Sequence, residues 1–380
     1  MIYRELCGEK VSTLGFGAMR LPPIDPADPR GGINKDEAIA MIRYAYEHGV
    51  NYFDTAYVYG GGQSEIILGE ALSIYPRDTY FIATKFPGLH PPAGGWTMEH
   101  VKATFEEQLK KLNTDYVDFY LLHGIMEMDV HHYTNPEVPL ADYFYEQKLA
   151  GRIRHYGFSS HATPKLLKEL VSWKDYFEFC QIQLNYMDWN LQDAKGQLAV
   201  LKEASLPVIV MEPVRGGKLA SLNGDCAAAL KAVRPEDSIA SWALRFAAGC
   251  DSVKVVLSGM SSMDQLLDNL RTFDSEDPMT DAEKALLFEK VGPSLIDMVP
   301  CTACRYCCEG CPVELDIPGL ISLHNELRFA DHSFYLMGLK EHQLPGNCVG
   351  CGACTTVCPQ GIDIPDVMQK LAARIAEIRK

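Results

Sequence analysis

Four side chains of this sequence form a set that could deliver a proton to a reacting carbonyl: Asp54, Tyr59, Lys85 and His123. A carbonyl that receives hydride develops charge on oxygen and needs a donor. Tyrosine, with an unperturbed pKa of about 10, is a poor acid at neutral pH. A neighbouring ammonium lowers that pKa, and a carboxylate holds the ammonium in place. An imidazole can point the carbonyl oxygen toward the phenol. Taken singly, each residue has a plainer role: Asp54 as a helix cap, Lys85 solvated, His123 at a strand end, Tyr59 packed on a rim. The second set is sulfur. Of 13 cysteines, nine lie between Cys301 and Cys358, whereas Cys7, Cys180, Cys226 and Cys250 are scattered. In a reducing cytosol such density points to metal rather than disulfides.

Eight of the nine are ordered as Cys301-x2-Cys304-x2-Cys307-x3-Cys311-Pro312 and Cys348-x2-Cys351-x2-Cys354-x3-Cys358-Pro359. Zinc favours isolated sets of four ligands, usually split as two pairs, and has no need of two triplets with distant fourth ligands. The runs match the spacing of bacterial ferredoxins, and residues 300–366 resemble a two-cluster member of that group. The resemblance implies two [4Fe–4S] clusters whose fourth ligands are exchanged. Cys301, Cys304, Cys307 and Cys358 would hold one, and Cys348, Cys351, Cys354 and Cys311 the other. Cys308 breaks no spacing and reads as a spare thiol. The helical stretch between the runs resembles the α-helical ferredoxin-like modules of larger redox enzymes.

The elements that must position the first set alternate. Strand patterns fall at 12–16, 50–54, 79–85, 116–123, 153–159, 179–184, 207–211 and 253–258. Helical patterns follow at 35–48, 64–75, 98–112, 139–149, 163–173, 193–204, 235–248 and 262–273. Eight such units over roughly 250 residues predict an α/β fold, a (β/α)8 TIM barrel, with an open doubly wound sheet as the alternative. Asp54, Lys85 and His123 then end the second, third and fourth strands, with Tyr59 in the loop after the second. That carboxyl-end rim is where such barrels place chemistry. The expected division is 1–275 for the barrel, 276–293 for a bridging helix and linker, and 294–380 for a mostly α-helical cluster domain.

Composition agrees: hydrophobic residues at 47% and charged residues at 22% can build a core. The net charge of −15, from 35 Lys plus Arg against 50 Asp plus Glu, opposes a nucleic-acid or anionic-membrane partner. The charged start Met1-Ile2-Tyr3-Arg4-Glu5, and the lack of any apolar run near the roughly 18 residues of a membrane span, lead us to expect a soluble cytoplasmic protein.

Gly15-Phe16-Gly17-Ala18-Met19, Asp54-Thr55-Ala56-x2-Tyr59-Gly60, Lys85, Leu121-Leu122-His123, Gly157-Phe158-Ser159-Ser160 and Gln181-x3-Asn185 together resemble the aldo-keto reductase superfamily over about residues 1–275. The resemblance implies hydride transfer between NAD(P)H and a carbonyl or alcohol substrate. Tyr59 would be the general acid/base, tuned by Lys85 and Asp54, with His123 orienting substrate. It also implies a dinucleotide site: Gly17, Met19 and Asp54 on the rim, and Ser159, Ser160 and Gln181 at the nicotinamide carboxamide. Met211, Glu212, Pro213, Arg215 and Lys218 would lie along nicotinamide and pyrophosphate, and Ser261, Gln265 and Asn269 at the adenine end. Met211 stands where many members carry an aromatic, replacing flat stacking with a thioether. The 258–265 segment has no Lys or Arg, which leaves NAD or NADP open. The loops 87–96 and 124–138 should border the pocket, where Trp96, His131, His132, Tyr133 and Trp189 either contact substrate or pack the loops together. Clusters move electrons singly and hydride moves two, so the fusion requires its own account. They could relay electrons with an external carrier such as a ferredoxin, staple a small tail, or mark a non-catalytic electron-transfer scaffold. No flavin motif is evident.

Overall fold

A computed structural model describes residues 1–25, 28–88, 90–126, 130–173, 175–222, 224–291, 299, 301, 305–328, 336 and 339–379. The described chain divides into two compact units. The first is Met1–Gly216 with Ala240–Thr280, and the second is Gly217–Ile239 with Asp281–Lys380. The segment Gly217–Ile239, which follows the seventh barrel strand, therefore packs with the C-terminal residues.

The first unit is a closed eight-stranded parallel barrel. Two short strands come first, β1 (Tyr3–Leu6) and β2 (Glu9–Ser12), paired antiparallel. The first barrel strand is β3 (Leu14–Gly17), and a small hairpin of β4 (Pro23–Asp25) and β5 (Asp28–Ile33) follows it. The rest of the barrel is β6 (Tyr52–Asp54), β7 (Phe81–Phe86), β8 (Val117–Ile125), β9 (Ile153–Ser160), β10 (Phe179–Gln183), β11 (Val208–Met211) and β12 (Val253–Gly259). Parallel pairing runs in sequence around the wall, with β12 beside β3 and β9 beside β10. The strands read as continuous apolar runs because both faces are covered; all six residues of β7 are buried.

Side chains two apart share a strand face, and that period builds the site. Tyr52, Ala83, Leu121, Phe179, Ile209 and Leu257 belong to one apolar cluster in the barrel interior. Leu6 and Val11 join it, so the first hairpin plugs the amino end. Two residues farther along the same faces come Asp54, Lys85, His123, Gln181 and Met211. Ser159 follows Gly157, which pairs with Phe179. The interior thus changes from hydrocarbon to polar in one step, at the carboxyl ends. Gly15 keeps β3 close to its neighbours: a Cβ there would lie 2.6 Å from Leu257 Cδ2.

The outer helices are terminated locally. Thr97 accepts from His100 N at 3.3 Å to begin Met98–Leu112, and Asn113, at φ 53°, ends it. Val101, Phe105, Leu109 and Leu112 form its buried stripe.

The second unit is helical among the described residues. Ile317–Glu326 packs on Ile364–Ile378, whose buried residues Ile364, Val367, Met368, Leu371 and Ile375 follow helical spacing. Asp363 accepts from Asp366 N at 3.3 Å, and Pro365 occupies the first turn. Helix Gly224–Val233 belongs here too: Cys226 Sγ contacts Lys290 O at 3.6 Å and Arg234 pairs with Glu283. No described helix is long and apolar enough to cross a membrane.

Candidate functional site

The structure brings Asp54, Tyr59, Lys85 and His123 together at the carboxyl end of the barrel. Lys85 Nζ is fully buried and donates to Asp54 Oδ1 at 2.7 Å, Asp54 Oδ2 at 2.8 Å and Thr55 O at 2.6 Å. The ammonium also lies 4.9 Å from the Tyr59 ring centre. Tyr59 meets His123 edge to face, with ring centres 5.8 Å apart. Burial opposes the charge on Lys85, but Asp54 and Tyr59 outweigh it and hold its pKa above the ordinary value.

Tyr59 differs from the sequence expectation in one respect. Lys85 does lower its pKa, but burial is the larger effect and the Asp54 carboxylate adds to it, so the phenol titrates above 10. It is therefore protonated throughout the neutral range. Burial, then Lys85, push His123 well below its ordinary 6.5, so this imidazole is neutral at pH 7. His123 Nδ1 is buried with no hydrogen-bond partner among the described residues. Tyr133, from the short helix Val130–Tyr133, donates to the His123 carbonyl and steadies the end of β8.

The residues expected to hold a dinucleotide occupy the neighbouring rim. Gln181 presents a buried Oε1 with no hydrogen-bond partner among the described residues, while its Nε2 touches Met211 Sδ at 3.5 Å. Ser159 Oγ accepts from Gly124 N at 2.7 Å and keeps its own proton to give. Ser160 Oγ is spent on Ile125 O at 2.8 Å. A primary carboxamide, which both donates and accepts, suits the Ser159 and Gln181 pair. After β11 the backbone turns left-handed at Glu212 (φ 53°), Arg215 (φ 47°), Gly216 (φ 66°) and Gly217 (φ 93°), with Pro213 buried between. For Glu212 and Arg215 this is uncommon, strained backbone.

Arg215 Nε reaches Asp188 Oδ1 and Oδ2, each at 3.2 Å, and Asp188 is fully buried. Lys218 lies on the same 3₁₀ turn, Arg215–Ala220. Past β12, Ser261 N donates to Gln265 Oε1 at 2.8 Å, and Ser261 Oγ donates to Arg20 O at 2.9 Å. Asn269 turns back to the wall, donating to Ser258 Oγ at 2.7 Å. Gly17 pairs with both Gly259 and Asp54, and Met19 stands exposed on the turn beyond it.

Of the aromatic rim residues, Trp96 Nε1 donates to Gly88 O at 3.2 Å, and its ring lies 4.6 Å from that of Phe86. Trp189 instead packs edge-on against Phe246. The His131 and His132 rings lie 4.0 Å apart, tilted by 41°.

The cysteine runs line two cavities within the second unit. One, with about 340 Å³ of space, is walled by Cys311, Cys348, Cys351 and Cys354 and floored by Leu315, Ile317 and Met368. The other, about 300 Å³, is walled by Cys301, Cys307 and Cys358 with Ile321 and Ile362. Cys304 lies outside the described residues. Each cavity combines cysteine sulfur with an apolar lining. Among the described residues no three or more His, Cys, Asp or Glu side chains are gathered closely enough to hold a single ion. Cys311 from the first run faces the second, and Cys358 from the second faces the first.

The Aldo/keto reductase family pattern matches residues 13–288, and that of a 4Fe-4S dicluster domain matches residues 300–362. The chain belongs to the aldo/keto reductase family. It is similar to the uncharacterized oxidoreductase YqkF of Bacillus subtilis (strain 168), at 29% identity over 73% of this chain and 92% of that protein. It is 28% identical to L-galactose dehydrogenase of Arabidopsis thaliana over 69% of this chain and 84% of the relative. Among solved structures, the holo form of aldo-keto reductase AKR11C1 from Bacillus halodurans superposes with a TM-score of 0.61 at 28% identity, covering 76% of this chain and 96% of that one. As in the sequence reading, this aldo/keto reductase carries an iron–sulfur dicluster domain at its C-terminal end.

Arg20 was not anticipated. The segment after β12 carries no cation of its own, but Arg20 stands against it: a Cβ at Gly259 would lie 3.4 Å from Arg20 Cβ, and the guanidinium is 3.7 Å from Glu212 Oε1. The only local signal was its place next to Met19.

The Lys85–Asp54 pair has a measurable weight. Lys85→Met strands a buried carboxylate, and breaking a buried pair costs about 3–5 kcal/mol. Urea denaturation should show that loss, and adding Asp54→Asn should restore most of it. A loss within the roughly 1 kcal/mol of an exposed pair would mean that Asp54 is neutral in the folded protein.

Proposed function

We propose that this aldo/keto reductase reduces small carbonyls, or oxidises the corresponding alcohols, using NADPH or NADH, and that two [4Fe–4S] clusters exchange electrons with an external carrier such as a ferredoxin. One observation carries the reading: a phenol set over a caged ammonium, faced by a neutral imidazole, at the open end of the barrel.

The residues present fit a nicotinamide dinucleotide. The unpaired Gln181 Oε1 and the Ser159 hydroxyl would take its carboxamide. Arg20, Arg215 and Lys218 would offset the phosphates, with Ser261, Gln265 and Asn269 toward the adenine end. Bound there, the reduced ring supplies hydride. The neutral His123 orients the carbonyl oxygen toward Tyr59. As charge develops on that oxygen, the Tyr59 hydroxyl gives its proton, and Lys85 stabilises the phenolate that remains. Asp54 and Thr55 O keep the ammonium in place, so no reorganisation is needed at that moment. In the oxidative direction the same phenolate takes the proton back.

The tail fits two clusters: Cys301, Cys304, Cys307 and Cys358 would hold one, and Cys311, Cys348, Cys351 and Cys354 the other. They supply single electrons. The serial division 1–275, 276–293 and 294–380 remains our assignment of barrel, linker and cluster domain, with Gly217–Ile239 packed into the last. A reducing cytoplasm suits thiolate-held iron.

Anaerobically purified protein should be brown, hold about eight irons, and oxidise NADPH or NADH when offered a panel of aldehydes and sugars. Stoichiometric zinc with little iron would sink the cluster half. Tight dinucleotide binding without turnover on any carbonyl or alcohol would sink the catalytic half.

A further inference from the structure

Behind Lys85, on the outer wall of β7, lies a buried carboxyl that proton transfer does not use. Alternation turns Lys85 into the barrel and Thr84 outward. Thr84 Oγ1 donates to Glu65 Oε1 at 2.7 Å, and Gln108 Nε2 donates to the same oxygen at 2.8 Å. Gln108 Nε2 also reaches Lys85 O at 3.0 Å, and Tyr120 OH donates to Gln108 Oε1 at 2.6 Å. Glu65, Thr84, Gln108 and Tyr120 are all fully buried. Glu65 Oε2 has no hydrogen-bond partner among the described residues. Burial holds the carboxyl above its ordinary range. A half-satisfied carboxyl costs free energy in a core, and filling that space would need only a leucine or methionine.

Its place in the chain suggests what offsets the cost. Tyr59 opens a turn in which Gly60, Gly61 and Gly62 are all left-handed, at φ 57°, 63° and 86°. Three successive glycines leave the tyrosine backbone weakly determined. The first anchors beyond them are Ser64, bonded to Thr55 Oγ1 and Ala18 O at 2.8 Å each, and Glu65. Ser64 holds the turn to neighbouring loops. Glu65 holds it to β7, the strand that carries Lys85, and Gln108 fixes the Lys85 carbonyl in the same network.

We propose that Glu65 and Gln108 are positioning residues: they strap the glycine turn of Tyr59 to the strand of Lys85 and thereby set the distance between phenol and ammonium. This rests on the reading of Tyr59 as proton donor. A misplacement of about 1 Å can cost on the order of 10²-fold in rate.

The test uses full-length, cluster-loaded protein with Glu65→Leu, Glu65→Gln, Gln108→Leu and, alongside, Tyr59→Phe. For Glu65→Leu and Gln108→Leu we expect kcat to fall on the order of 10²-fold, with dinucleotide affinity little changed. The alkaline limb of the kcat profile for reduction should move to higher pH, because a loosened ammonium lowers the phenol pKa less. Glu65→Gln keeps the accepting oxygen and should retain both rate and limb. A role confined to fold support would reduce the active fraction and leave the limb in place. An unmoved limb in both leucine variants overturns the proposal, as does a Glu65→Gln enzyme as impaired as Glu65→Leu. If Tyr59→Phe stays active, the proton-donor reading fails; if Tyr59→Phe is inactive and the leucine variants are normal, only the strap fails.

Discussion

Tyr59→Phe should lower kcat/KM for carbonyl reduction by about 10²–10⁴-fold, the usual contribution of a general acid, while dinucleotide affinity stays near wild type. The variant loses one hydroxyl and none of the groups assigned to the cofactor. The pH profile adds a second check. Burial keeps the phenol above its ordinary 10, so the donor is protonated across the neutral range and reduction should be level there. Reduction should fall only as pH rises through the phenol's pKa, and alcohol oxidation, which needs the phenolate, should rise with pH. A donor role for His123 gives a different curve, because its pKa lies well below 6.5; reduction would then already decline on the acid side of neutrality. Absorbance of the reduced nicotinamide, followed in both directions, separates the two. Full activity in the Phe variant would move the proton to another residue.

The barrel was legible because its strands are buried on both faces and its helices on one. The apolar runs at 79–85 and 116–123 fall on β7 and β8 within two residues at each end. The tetrad was legible for the same reason, since strand ends are where the interior period turns polar. What escaped were features that depend on packing at a distance. Tyr3–Leu6 and Glu9–Ser12 are short and half polar, and nothing local says that Leu6 and Val11 plug a barrel. Glu65 reads in sequence as one more charge on an amphipathic helix, and only the fold shows it buried against Thr84 and Gln108. The phenol's pKa shift could not be assigned from residue types, because burial and the Lys85 charge oppose each other and the balance is geometric. Helix Gly224–Val233 begins with Gly-Asp and follows a glycine-rich turn, so periodicity alone did not separate it from the loop. In the tail the reverse holds: the likeness of the cysteine spacing to ferredoxins implies that Cys311 joins the ligands of the second run and Cys358 those of the first, and Cys311 lines a cavity with the second run while Cys358 lines one with the first.

The largest expected effect outside the barrel follows from removing iron. Both cavities open into the apolar core of the second unit, where Leu315, Ile317 and Met368 line one and Ile321 and Ile362 the other. Without metal, burial and then neighbouring thiols push Cys307 up to about 12, and burial also raises Cys354, so these two stripped thiols stay neutral and do not replace the lost bonds. Chelation under reducing anaerobic conditions should therefore melt the helices Ile317–Glu326 and Ile364–Ile378, read as lost helicity and new proteolytic cuts, while the barrel persists. That much is expected whether the clusters relay electrons or only hold the tail together. The relay adds a stricter requirement. Two clusters, each giving one electron, together match the two electrons that, with two protons, turn a carbonyl into an alcohol. Protein with both clusters reduced and excess reductant removed should reoxidise when carbonyl substrate and oxidised dinucleotide are added, yielding one alcohol per protein. Tyr59→Phe should suppress formation of the alcohol, because the proton that the reduced carbonyl oxygen takes comes from the phenol. EPR and absorbance would follow the clusters, and product analysis would close the electron count. Clusters that stay reduced with every substrate and dinucleotide tried, in protein that still turns over with NADPH, would leave them a purely structural part of the tail.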